Sequence, residues 1–151
     1  MRYEKKIGKK VWLLDGSLDR GFHLGSKKTF TLVEWKSGKE VRDWANHFVI
    51  RDDENGNTIE VKEYQVVFAL EGDNLPGIQT YLSDNECYTD EVYNDHNEDL
   101  CVSISWGDWK HEHLWCRDLM GYIGYREIGE VDLEEDGSDC YSSTHIFAKA
   151  A

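Results

Sequence analysis

Proline is nearly missing from this chain: Pro76 stands alone, which excludes a proline-rich linker or a polyproline segment. Nowhere do about 18 apolar residues run together, the length a membrane helix needs. Lys5, Lys6, Lys9 and Lys10 do precede an apolar stretch, but Val11-Trp12-Leu13-Leu14 stops at Asp15. That is too short for a secretory core, so the expected address is cytoplasmic, with no membrane partner. Cysteine is sparse as well. Cys87, Cys101, Cys116 and Cys140 are irregularly spaced with no C-x-x-C, and in a reducing compartment they are expected to be free thiols. Neither a G-x-S-x-G elbow nor a G-x-x-x-x-G-K-[ST] loop occurs, which removes the commonest sequence signals for a serine hydrolase and a nucleotide phosphate site.

The most informative absence is of positive charge. Between Lys62 and Lys110 there is no Lys or Arg, while that window holds eleven acids. Residues 1–47 carry eleven Lys or Arg against six Asp or Glu, and residues 48–151 carry six against twenty-four, for a net charge of −13. Ser83 to Asp99 is densest, with seven acids and no internal cation. Such self-repulsion costs stability, so it is tolerated either for solubility or for recognition of something positive. Direct binding of nucleic acid is disfavoured, because phosphates need clustered Lys and Arg.

What is present suits a folded domain. At 151 residues, 40% hydrophobic and with six Trp, the chain has the length of one domain and enough apolar surface to offset its conformational entropy. We expect a single domain over 1–151. Strands are expected at 10–14 and 29–36. Asn55-Gly56 should join 48–51 to 58–62 as a hairpin, both turn residues accepting positive φ. Residues 63–70 read as a mostly buried strand. Leu100, Val102, Ile104 and Trp106 alternate with small residues, the period of a one-faced strand. Trp109, Cys116, Leu119, Met120 and Ile123 then form one helical stripe behind Asp108 as N-cap, ended by Gly121 and Gly124. Strands 126–133 and 142–149 complete the chain. The expected class is α+β and β-rich: an antiparallel or mixed sheet packed by one main helix at about 109–123, with short helices near 39–47 and 76–83.

Chemical motifs are weak. His111-Glu-His-Leu-Trp-Cys116 holds three zinc-type ligands, but positions two apart on a helix point about 200° from each other. His113 and Cys116 would need Cys101, Cys140 or His145 as partners, and a buried Cys is more often a small hydrophobe. Asp132 to Asp139 imitates the start of a calcium loop, yet its twelfth position is Ser143 rather than Glu, and a turn at Asp136-Gly137 explains it better. Cys140 with His145 carries no catalytic spacing signature. No metal or cofactor is expected, and no catalytic residue is assigned.

The leading expectation is a non-enzymatic acidic protein-binding domain, an inhibitor or nucleic-acid-mimicking decoy of a basic nucleic-acid-handling protein such as a nuclease or host-defence effector. Its partner surface is assigned to Asp84, Glu86, Tyr88, Asp90, Glu91, Tyr93, Asp95, Glu98 and Asp99, with Tyr88 and Tyr93 exposed as anchors inside a charged rim. The alternatives are a small enzyme or ligand-binding domain with a pocket, and an accessory subunit of a phage or larger assembly. Partner identity and oligomeric state do not follow from sequence.

Overall fold

A computed structural model describes residues 3–14, 28–106, 111–133 and 141–149, without the side chains at 106, 111–115, 132–133 and 141–142. The strand-rich α+β expectation is met, and every strand pairing is antiparallel. The strands are shared between two sheets, and the chain divides into two compact units, Met1–Ala69 and Leu70–Ala151.

The first unit is a five-stranded sheet. Its strands are β1 (Lys10–Leu13), β2 (Thr29–Lys36), β3 (His47–Asp52), β4 (Thr58–Lys62) and β5 (Val66–Phe68), in the order β4-β3-β2-β1-β5. Val11, Phe30, Leu32, Phe48, Ile50, Val66 and Phe68 bury one face, with Trp35 packed against them and Tyr3 meeting Trp35 and Phe48 edge-on. Alternation alone would send Leu32 and Trp35 to opposite faces. A bulge between Leu32 and Glu34 inserts Val33 and keeps both on the core side.

Three local expectations change here. The helix near 39–47 is one turn, α1 (Gly38–Val41), because Arg42 takes a left-handed conformation (φ 57°) and ends it. Trp44 therefore leaves any helical stripe and is 80% exposed, stacked on Tyr64 with ring centroids 5.3 Å apart. The β3–β4 hairpin forms as expected across residues 53–57, but the Asn-Gly pair does not take positive φ at both positions. Only Gly56 has positive φ, and the Asp52 carboxylate accepts from Glu54 N–H (2.9 Å). Residues 63–70 begin as a single 3₁₀ turn, Glu63–Gln65, before the short β5.

The second unit holds α2 (Leu75–Asp84), β6 (Glu91–Asn94), β7 (Leu100–Trp106), α3 (His111–Tyr122), β8 (Tyr125–Leu133) and β9 (Tyr141–Lys149), with sheet order β6-β7-β9-β8. Asn74 caps α2, accepting from Gly77 N–H (2.8 Å), with Pro76 in the first turn where its missing N–H costs nothing. The predicted helix near 76–83 is this one. Cys116, Leu119, Met120 and Ile123 are buried as the α3 stripe requires, and Gly124 (φ 89°) ends the helix. Asp108 and Trp109 lie outside the described residues. The Tyr81 hydroxyl donates to the Leu119 carbonyl (2.6 Å) and ties α2 to α3. Ile78, Tyr81 and Leu82 are buried with Leu100, Val102, Ile104 and Phe147, the core face of the sheet. Each large side chain so buried contributes about 1.5–3 kcal/mol.

Candidate functional site

The acidic tract, read from sequence only as a polar run, is an ordered supersecondary unit. Asp84 closes α2, residues 85–90 lead into β6, and β6 pairs with β7 from Glu91↔Ser103 to Asn94↔Leu100. The apolar content of β6 is only Val92 and Tyr93, too little to mark a strand by periodicity, yet β7 offers a complete edge. Val92 sits opposite Val102, while Glu91 and Tyr93 take the other face, opposite Ser103 and Cys101.

The turn 95–99 is built by its own carboxylate. Asp95 Oδ1 accepts from the N–H groups of Asn97 (2.9 Å) and Asp99 (3.0 Å), while Asp95 N–H donates to the Asp99 carbonyl (3.0 Å). Glu98 adopts φ 64°, in the left-handed region. Asp95 is thus spent on folding the turn, and Glu98 and Asp99 are what the turn displays.

The nine predicted residues therefore fall into three groups. Asp84, Glu86 and Tyr88 lie at the end of α2 and just after it, with Glu86 at φ 66° and Tyr88 61% exposed. Asp90, Glu91 and Tyr93 lie on or beside β6. Asp90 accepts a short hydrogen bond from the Ser105 hydroxyl, and Glu91 is exposed. Tyr93 is a correction: it is half-buried opposite Cys101, and burial pushes its phenol up. It is no free anchor. Asp95, Glu98 and Asp99 share the turn, about 16 Å along the strand from Asp90 at 3.3 Å per residue. So the carboxylates line a hairpin rather than converging on one point.

The turn also forms one wall of a cleft that the sequence did not signal. This cavity, about 270 Å³, opens between the 95–99 turn, the first turn of α2, the start of β8 and the end of β9. Ile78, Leu100 and Phe147 form its floor and Glu98 and Asp99 part of its rim. Across it Asp73 is bound by Lys149, and the Tyr125 hydroxyl donates to Asp73 (3.1 Å). Lys149 also lies 5.7 Å from the Tyr125 ring centroid. Asp73 and Lys149 are 76 residues apart, and only the antiparallel return of β9 brings them together.

A second polar cluster lies on the core side of the same sheet. A bulge in β8 between Glu127 and Gly129 places Glu127 opposite Phe147 and Glu130 opposite His145, so two acids three apart share a face. Arg117 from α3 grips both, with Nη2 at 3.2 Å from Glu127 and 2.8 Å from Glu130. His145 Nδ1 lies 3.4 Å from Glu127, and its Nε2 lies 3.0 Å from the Ser143 hydroxyl. The connectivity is that of a Ser-His-Glu relay. Ser143 and His145 are nevertheless 0% exposed, so no substrate carbonyl can reach that hydroxyl. Glu127, Glu130 and His145 also have ligand atoms within 4.8 Å of one another. Arg117 already supplies the cation they share, and the cluster reads as a structural ion-pair network.

Of the sequence motifs, the side chains of His111 and His113, and Cys140, lie outside the described residues, as does the 134–140 connection. Cys116 is buried against Cys87, and that contact and burial push its thiol far up, away from the thiolate a metal needs. Cys87, Cys101 and Cys116 form no disulfide among the described residues. Among the described residues no helix is long and apolar enough to cross a membrane. Set against protein-family models, curated proteins and solved structures, the chain matches none of them.

Proposed function

We propose that this chain is a non-enzymatic, cytoplasmic binding protein whose acidic hairpin engages a basic protein. One observation carries the reading. Among the described residues no cation pairs with Asp90, Glu91, Asp95, Glu98 or Asp99, whereas several acids in and beside the first sheet are paired, as in Lys10–Asp53 (3.0 Å), Lys28–Asp52 (2.7 Å) and Lys36–Glu60 (2.7 Å). Unpaired carboxylates along an edge hairpin lower the local potential, attract a positive surface and speed its encounter. A protein groove that is positive because it handles phosphate is the partner class this favours, with the hairpin acting as inhibitor or nucleic-acid mimic against a nuclease or a host-defence effector.

The test is capture from native lysate by the tagged protein beside its E91Q/E98Q/D99N variant, at low and high salt. Those three are chosen because Asp90 and Asp95 also hold local structure. The captured protein is then purified and rebound in the presence of duplex DNA. Retention of a basic nucleic-acid-binding protein that is lost in the variant, in high salt and on adding DNA is the expected result. Equal retention by both baits sinks the reading.

A further inference from the structure

We propose that the cleft beside the 95–99 turn is a receptor for an arginine side chain of the basic partner, an inference that rests on the acidic-hairpin reading and sharpens it to one residue type. Its volume of about 270 Å³ falls below the roughly 300–1,000 Å³ of small-molecule pockets, which suits one long side chain better than a cofactor. The floor is apolar and the rim is anionic. Above that floor Leu75, Tyr125 and Ala148 are half-buried and can cover a three-carbon stem, as long cationic side chains lie along apolar surface with the head at the edge.

At that edge, successive carboxylates of Glu98 and Asp99 have no hydrogen-bond or ion-pair partner among the described residues. Lys149, the only lysine lining the cleft among the described residues, is taken up by Asp73. Two uncompensated carboxylates therefore meet whatever enters. A planar guanidinium, with five donors and weak hydration, can bridge them while losing little solvation, which a compact, strongly hydrated ammonium does less well. Lys149, held by a carboxylate and set near the Tyr125 ring, shows the same cleft already holding one cation.

The experiment is an NMR titration of the full chain with four probes: acetyl-Gly-Arg-Gly-amide, its lysine and citrulline counterparts, and inorganic phosphate. The arginine peptide is expected to move signals of Leu75, Leu100 and Phe147, and to bind at least about tenfold more tightly than the isosteric but neutral citrulline peptide. Its affinity should fall about tenfold in E98Q/D99N. It should be lost in Asn94→Phe, which fills the cleft from an exposed position on β6 without changing charge. Equal binding of the arginine and citrulline peptides overturns the proposal, as does phosphate moving the same signals, or indifference to E98Q/D99N with the spectrum intact. The two readings fail separately. A captured partner lost in E91Q/E98Q/D99N but unaffected by Asn94→Phe sinks the cleft and keeps the hairpin. Arginine-peptide binding with no basic partner retained from lysate keeps the cleft and sinks the hairpin.

Discussion

Glu98 keeps a carboxylate at a backbone position that glycine would fill with less strain. At φ 64° a side chain costs about 1–2 kcal/mol, part of which glycine returns through its greater chain entropy. Glu98→Gly should therefore raise stability by about 0.5–1 kcal/mol in urea unfolding, while weakening any basic partner. A loss of stability would mean that the carboxylate does structural work in the turn. His47 is a different kind of residue. Its two nitrogens lie 2.7 Å from Asp43 and 2.9 Å from Glu60, which raises its pKa, Asp43 contributing most, while His47 in turn holds Asp43 at about 2. A raised histidine stabilises fully below its unfolded value near 6.5 and loses that contribution as pH rises through its folded value. A lowered aspartate stabilises above its unfolded value near 3.8 and loses its share as pH falls toward 2. Both contributions are complete between about pH 4 and 6.5. Wild type should melt higher at pH 5.5 than at pH 8.5 by a margin that shrinks in His47→Gln, and Asp43→Asn should lower the His47 NMR titration midpoint. Equal margins in wild type and His47→Gln would refute the assignment. None of this was legible in sequence. Trp44 and Phe48 read alike as large aromatics, yet one is exposed and the other buried. Truncation to Ala should cost about 0.5–1.5 kcal/mol at Trp44, the worth of an aromatic pair, and about 3–5 at Phe48.

At the scale of elements, periodicity exposed what had a single strong period. Residues 100–106 and the α3 stripe were readable because their apolar spacing leaves one interpretation, and 29–36 because it is rich in β-branched and aromatic residues. What defeated the reading were places where one residue breaks the period and tertiary pairing repairs it. The bulge at Val33 rescues Trp35 for the core, and the bulge after Glu127 gives Glu127 and Glu130 a common face. The strand β6 has no period of its own and exists because β7 templates it. Helix α2 supplies a test in which structure and propensity disagree in sign. Gly77 lies inside a helix, where Ala is favoured by about 1 kcal/mol. A Cβ there would nevertheless stand 1.9 Å from the Gly72 carbonyl oxygen, a backbone atom with little freedom to retreat. Gly77→Ala should destabilise by about 2 kcal/mol or more, since overpacking against backbone forces the chain apart. It should also disturb the cleft, whose wall includes the first turn of α2. Stabilisation would show that the 70–74 segment yields freely.

Across the whole molecule, the charge follows the two units. Residues 1–69 carry thirteen Lys or Arg against eleven Asp or Glu, while residues 70–151 carry four against nineteen, so the second unit holds −15 and the first +2. Sequence counting found the asymmetry but set its border at residue 47, inside the first sheet. Charge counts carry no information about which strands pair, and β3 and β4 bring acids that neutralise the lysines before them. Within the second unit Arg117 is committed to Glu127 and Glu130, and Lys149 to Asp73. The excess of acids there leaves net like-charge repulsion, which salt screens over a Debye length of about 10 Å at 0.1 M. Screening should relieve that repulsion more than it weakens exposed ion pairs, each worth at most about 1 kcal/mol. The urea midpoint of the full chain should therefore rise as NaCl increases from about 20 to 500 mM, where screening lengths fall below the spacing of most charges. The E91Q/E98Q/D99N variant should start higher at low salt and climb less, the two curves converging at high salt. A wild-type midpoint that falls with salt would mean that the paired charges of the first sheet outweigh the repulsion in the second. A variant that tracks wild type throughout would mean that the hairpin carboxylates cost the fold nothing, and selection for a binding partner would then be unnecessary to explain them.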